Sequence, residues 1–83
     1  FGLTIALKDG IEATDGAVTT GNFDTYRLLT MAETPDTHVH IMDSELLAGG
    51  VGEPGVPPLA PALAGAILQA TGQPVRTLPI RLT

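Results

Sequence analysis

Apolar positions along the 83 residues fall into runs separated by glycine, proline and aspartate, and the spacing inside each run predicts a different element. "FGLTIALK", residues 1–8, is apolar except for Thr4 and Lys8. Periodicity alone does not separate helix from strand in so short a run, but Lys8 followed by Gly10 suits a helix C-terminus. The stretch is therefore read as the last two turns of a helix that begins further upstream. "IEATDGAVTT" predicts a β-hairpin, because both central residues of a tight type I′ turn need positive φ and Asp15-Gly16 supplies them. Its second arm is expected to run from Ala17 to about Leu29, with Gly21-Asn22 marking a bulge. Thr34-Pro35-Asp36 then makes a turn, the proline pushing Thr34 away from helical geometry.

"THVHIMD" alternates as a third strand would. Val39 and Ile41 share one face, and His38, His40 and Met42 the other. Two histidines two residues apart on a strand can reach one metal ion. With no third ligand nearby, they are read as the wet face of an exposed strand, and no metal site is assigned. Residues 43–58 form a loop by composition. Pro57 and Pro58 then sit where a helix start tolerates a missing N–H, and Pro61 still falls within the first turn. "ALAGAILQATG" follows, with Leu59, Leu63, Ile67 and Ala70 along one face and Leu68 beside them. Ala60, Ala64 and Gly65 offer a thin surface for close packing. Gly72 ends the helix and Pro74 prevents its continuation. The tail "VRTLPIRL" alternates until Pro79 demotes it to an edge or an extended arm. The expected fold class is α+β: a small antiparallel sheet, hairpin plus third strand, packed with a C-terminal helix and a short N-terminal helix.

Composition changes this picture in one respect. Hydrophobic residues make up 43% of the chain and charged ones 16%, few for a surface that faces water by itself. Such a chain fits a segment normally covered by other protein. Nine acids against four bases give −5, which argues against nucleic-acid or anionic-membrane partners. There is no cysteine, hence no disulfide, thiolate ligand or thiol nucleophile. No apolar run approaches the roughly 20 residues that span a bilayer.

The candidate chemistry lies in "GGVGEPGVPP", residues 49–58, where Glu53 is the one ionisable side chain. Gly49, Gly50 and Gly52 let the backbone approach a ligand closely. Their N–H groups would suit an anion, but Glu53 would repel it, and the Lys and Ser/Thr of a P-loop are missing. A carboxylate held among apolar neighbours is a candidate general base, since desolvation disfavours its charged form. The competing reading is that Glu53 caps the following segment or is simply solvated.

The ordered stretch "GGVGEPGVPPLAPALAGAILQATG" resembles the C-terminal catalytic motif of the large, molybdopterin-binding subunit in the xanthine oxidase family of molybdenum hydroxylases. The Gly-Val-Pro-Pro after the Gly-Glu-Pro core is most similar to the isoquinoline 1-oxidoreductase β-subunit branch, which includes related aldehyde dehydrogenases. "FGLTIAL", "NFDTYRLLTMAETPDTHVHIM" and "LPIRL" resemble the same branch, so the resemblance covers nearly the whole chain. It implies that Glu53 is the catalytic base beside molybdenum. That base takes a proton from the metal-bound hydroxyl, which attacks a carbon of an N-heterocycle or aldehyde, with water as the oxygen source. It also implies that Gly50, Val51 and Gly52 lie near the cofactor, and that electrons leave through iron–sulfur clusters on another subunit or domain.

Family subunits are several hundred residues long. Residues 1–83 are accordingly expected to be a single domain or fragment equivalent to the C-terminal part of a molybdopterin-binding domain. The molybdenum cofactor is expected in the full-length parent and not on this chain alone, with the remainder of the large subunit as its first partner. The alternative from another class is a small, non-catalytic binding module that keeps the family sequence without the chemistry.

Overall fold

The computed structural model describes residues 1–8 and 10–82. Element order is α1 (Gly2–Leu7), β1 (Ala13–Thr14), β2 (Ala17–Val18), a 3-10 turn (Met31–Glu33) and α2 (Leu59–Thr71). The α+β class expected from the sequence is the class observed.

Helix α1 stops at Leu7 because Lys8 leaves helical geometry (φ −97°, ψ −141°). The expected helix end after Lys8 thus falls one residue earlier, at Leu7. The carbonyls left open at the helix end are satisfied from the far end of the chain. Ile80 donates its N–H to Ala6 O at 2.7 Å. The Arg81 guanidinium donates to Leu7 O at 2.7 Å and Lys8 O at 3.2 Å. The tail is thus no sheet edge; it is a cap for α1.

The hairpin turn is as expected, with Asp15 at φ 51° and Gly16 at φ 79°. β1 and β2 pair antiparallel, Ala13 opposite Val18 and Thr14 opposite Ala17. Thr19 N–H to Glu12 O at 2.9 Å extends the pairing by one bond. The second arm does not reach Leu29. Gly21-Asn22 starts a turn instead of a bulge: Thr25 Oγ1 accepts the N–H of Gly21 and Asn22, while Asn22 O accepts those of Thr25 and Tyr26.

Beyond the 3-10 turn, Thr34 is extended (φ −78°, ψ 128°), as the following proline demands, and the turn expected at residues 34–36 lies three residues earlier, at 31–33. The expected third strand is also corrected. The sheet has two strands among the described residues, and residues 37–43 make no ladder with it. The alternation at 38–42 is a strand pattern with no neighbouring strand to receive it.

Helix α2 fits its signals closely. Its first backbone bond runs from Ala62 N–H to Pro58 O at 3.1 Å, so Pro57, Pro58 and Pro61 forfeit no helical bond. Gly72 closes it in left-handed geometry (φ 74°) and donates to Leu68 O at 2.8 Å. Leu59, Ala60, Leu63, Ala64 and Ile67 form its half-buried face, whereas Leu68, Ala70 and Gly65 are exposed. That face meets α1 at Gly2. A Cβ there would stand 3.3 Å from Leu59 Cδ2 and 3.4 Å from Val56 Cα, so the missing side chain sets how closely the two helices approach.

Little of this is deeply buried. Ala6 and Ile80 are the buried apolar residues among those described, joined by the buried Thr4. The radius of gyration is 16.1 Å, against about 12 Å for a compact chain of this length. The accessible surface is 7264 Å² for 8.5 kDa, against roughly 4,700 Å² for a folded monomer of that mass. The composition pointed the same way: apolar residues are plentiful and lie at the surface.

Candidate functional site

Glu53 is fixed to α2 by two consecutive turns. Val56 donates to Glu53 O at 3.0 Å, and Leu59, the first residue of α2, donates to Val56 O at 3.3 Å. Pro54, Pro57 and Pro58 restrict φ through this connection, which makes it a stiff bracket and not a slack linker. Gly55 takes no left-handed φ; it lines a cleft instead.

That cleft has a volume of about 560 Å³ and lies between the start of α1, the extended segment after Thr34 and the loop before α2. Val51 and Gly52 line it together with Thr4, Leu29, Thr34 and Thr37. Gly50 and Glu53 do not line it. The four residues singled out from sequence are therefore contiguous in one loop, with two of them on the cleft and two beyond it. A larger open cleft of about 850 Å³ lies between hairpin and tail, and it contains none of the four.

The Glu53 side chain is exposed. The loop does fit one wall of a cofactor site. A Cβ built at Gly49, Gly50 or Gly52 meets nothing within 4 Å, so the space beside this backbone is not taken by the chain's own atoms. The cleft lining carries no basic side chain, which suits an uncharged edge of a cofactor better than a phosphate.

His38 and His40 are both exposed. Among the described residues, no three of His, Asp and Glu gather as a metal ligand set.

One electrostatic device was not anticipated from the sequence. Lys8 is ion-paired with Glu33. The same carboxylate accepts the Thr30 N–H at 2.9 Å and the Thr30 hydroxyl at 2.8 Å. The Lys8 hydrogen bond, then the Thr30 backbone and side-chain bonds, hold Glu33 down at a pKa of about 2. Thr30-x-x-Glu33 is a capping-box spacing, a signal present in the sequence. Thr4 completes the clamp on this side, its Oγ1 accepting the Leu29 N–H at 3.1 Å. Together the two contacts fix residues 29–33 against α1, and so set one wall of the cleft.

With this geometry in view, the relatives are informative. The chain is 34% identical over 80 residues to the isoquinoline 1-oxidoreductase subunit beta of Brevundimonas diminuta, covering 96% of this chain. It is 33% identical over 81 residues to the membrane-bound aldehyde dehydrogenase [pyrroloquinoline-quinone] of Gluconacetobacter polyoxogenes, covering 98% of this chain. No protein-family model and no solved structure matches. Both relatives are oxidoreductases by name. The similarity is consistent with a segment of a large subunit of the xanthine oxidase family of molybdenum hydroxylases. It spans about a tenth of the length of the curated relatives it matches. Among the described residues, no helix is long and apolar enough to cross a membrane.

Proposed function

We propose that this chain is the C-terminal active-site segment of a molybdenum hydroxylase large subunit, with Glu53 as its catalytic base. The observation that carries the reading is the stiff bracket from Glu53 to α2, within a chain matched almost end to end by two oxidoreductases. A molybdopterin-type molybdenum cofactor, when bound by the whole subunit, supplies the two-electron oxidation of an N-heterocycle or aldehyde with water as the oxygen source.

The chain's own contribution is positional and acid–base. Gly50, Val51 and Gly52 present backbone without obstructing side chains, so the cofactor edge can lie against them. Glu53 holds its carboxylate one residue beyond and accepts a proton during the reaction. The remaining wall, which excludes water from around Glu53, comes from the rest of the large subunit. An iron–sulfur subunit or domain carries the electrons away.

The test is Glu53→Gln in the longer subunit, assayed for dye-linked oxidation and for bound metal. Turnover should be lost while molybdenum and pterin stay bound; undiminished turnover would sink the role of Glu53. The name of the Gluconacetobacter relative carries pyrroloquinoline-quinone in place of molybdenum. Elemental analysis together with pterin fluorescence decides the cofactor, and a quinone without molybdenum would overturn the proposal.

A further inference from the structure

Residues 38–42 carry a strand pattern and have no strand to pair with. Among the described residues, no backbone hydrogen bond joins this stretch to any other part of the chain. Its apolar side chains are open, Ile41 at 88% exposure, and the exposure continues through Leu47 at 99%. An alternating, unpaired, apolar segment is an edge waiting for a partner strand.

We infer that residues 38–42 form a β-strand by pairing with a strand of the large-subunit body that lies outside these 83 residues. The inference rests on the reading of the chain as part of a longer subunit, and names the surface by which it joins that subunit. Two observations choose this occupant over a second copy of the chain. The relatives extend over about ten times this length, so a covering body belongs to the same polypeptide type. The surface in excess of a compact monomer is on the order of 2,500 Å², several times the roughly 800 Å² that each partner buries in a standard dimer. So large an excess spread over so small a chain requires cover from many directions, which a single twofold contact does not provide.

The pairing also bears on the site. Residues 38–42 lie just upstream of the 49–53 loop, and α2 lies just downstream of it. With the strand paired on one side and the bracket fixed to α2 on the other, the loop is held at both ends. Glu53 then has one position and not many.

The experiment is amide hydrogen exchange at residue resolution on the full large subunit. Amides that face the partner strand, at alternate positions through 38–42, should exchange at least about 100-fold slower than in an unstructured peptide. Free exchange of all five would overturn the pairing. Protection that vanishes on dilution would assign the edge to a second copy and equally overturn it. In a second measurement, Ile41→Asp should release that protection and lower turnover, whereas the Glu53→Gln variant should keep the protection intact. Normal protection in Ile41→Asp would also count against the strand. An active Glu53→Gln enzyme with protected residues 38–42 would sink the catalytic reading alone, so the two proposals fail separately.

Discussion

Ile80 and Ala6, near opposite ends of the chain, are joined by a backbone hydrogen bond of 2.7 Å and are the buried apolar residues among those described. The tail's N–H and the Arg81 guanidinium together close the C-terminal carbonyls of α1. Ile80→Ala should therefore cost about 2–4 kcal/mol, the loss of a buried branched side chain in a core too small to compensate. The unfolding midpoint in urea, compared between wild type and variant of the protein that carries the segment, measures it. A loss under about 0.5 kcal/mol would mean that the tail does not hold α1.

Helix contact at Gly2 yields a graded series. Alanine there must displace Leu59 by a few tenths of an ångström, while its helix propensity returns up to roughly 1 kcal/mol. Gly2→Ala is expected to be nearly neutral. Gly2→Val adds bulk that Val56 and Leu59 cannot yield to, and should cost about 1–3 kcal/mol in the same unfolding experiment.

Glu33 gives a pH dependence with a definite sign. Its carboxyl is lowered from 4.5 to about 2, first by the Lys8 hydrogen bond and then by the bonds from Thr30. The folded state therefore prefers the charged form. The stabilisation is complete above about pH 4.5 and is lost as pH falls towards 2. Glu33→Gln should remove the part of the acid-induced loss that falls in this window, leaving behaviour near neutral pH flat. Added salt should shrink the wild-type effect, because Lys8 and Glu33 are partly open to solvent.

The loop offers a variant that separates fold from cofactor. Gly52→Ala meets no atom of this chain within 4 Å, so stability should change by no more than about 0.5 kcal/mol. On the proposed function the added methyl would press on the cofactor edge, and retention of molybdenum by the large subunit should weaken roughly tenfold. Full retention would move the cofactor away from Gly52. For Glu53→Gln, the proposed role as general base predicts a fall in turnover of about 10²–10⁴-fold.

Local chemistry was legible wherever a few neighbouring residues decide the outcome. Asp15-Gly16 fixed a hairpin because positive φ is a property of two residues. Pro57-Pro58, the spacing of Leu59, Leu63 and Ile67, and Gly72 fixed both ends of α2 for the same reason. The Gly-Glu-Pro loop stood out because one carboxylate among glycines and prolines is chemically odd at any position. What failed were the elements needing a distant partner. The stretch at 38–42 has a strand's alternation, yet a strand exists only where another supplies donors and acceptors. The arm after Val18 ended early because Thr25 Oγ1 offered its neighbours' N–H groups a nearer bond than a ladder would.

By itself, then, the sequence determined the Asp15-Gly16 turn, both ends of α2, the Leu59, Leu63 and Ile67 part of its face and the identity of the odd carboxylate, all set by dihedral preference and by spacing within a few residues. Only the tertiary structure decided that the tail caps α1, that Lys8 and Glu33 meet, and that Val51 and Gly52 share a cleft with Thr4 and Thr37. Those contacts join residues far apart along the chain, so no local preference encodes them. They arise because α1 leaves open carbonyls, a lysine and a glycine-thin face, and Ile80, Arg81, Glu33 and Leu59 are the groups that reach them.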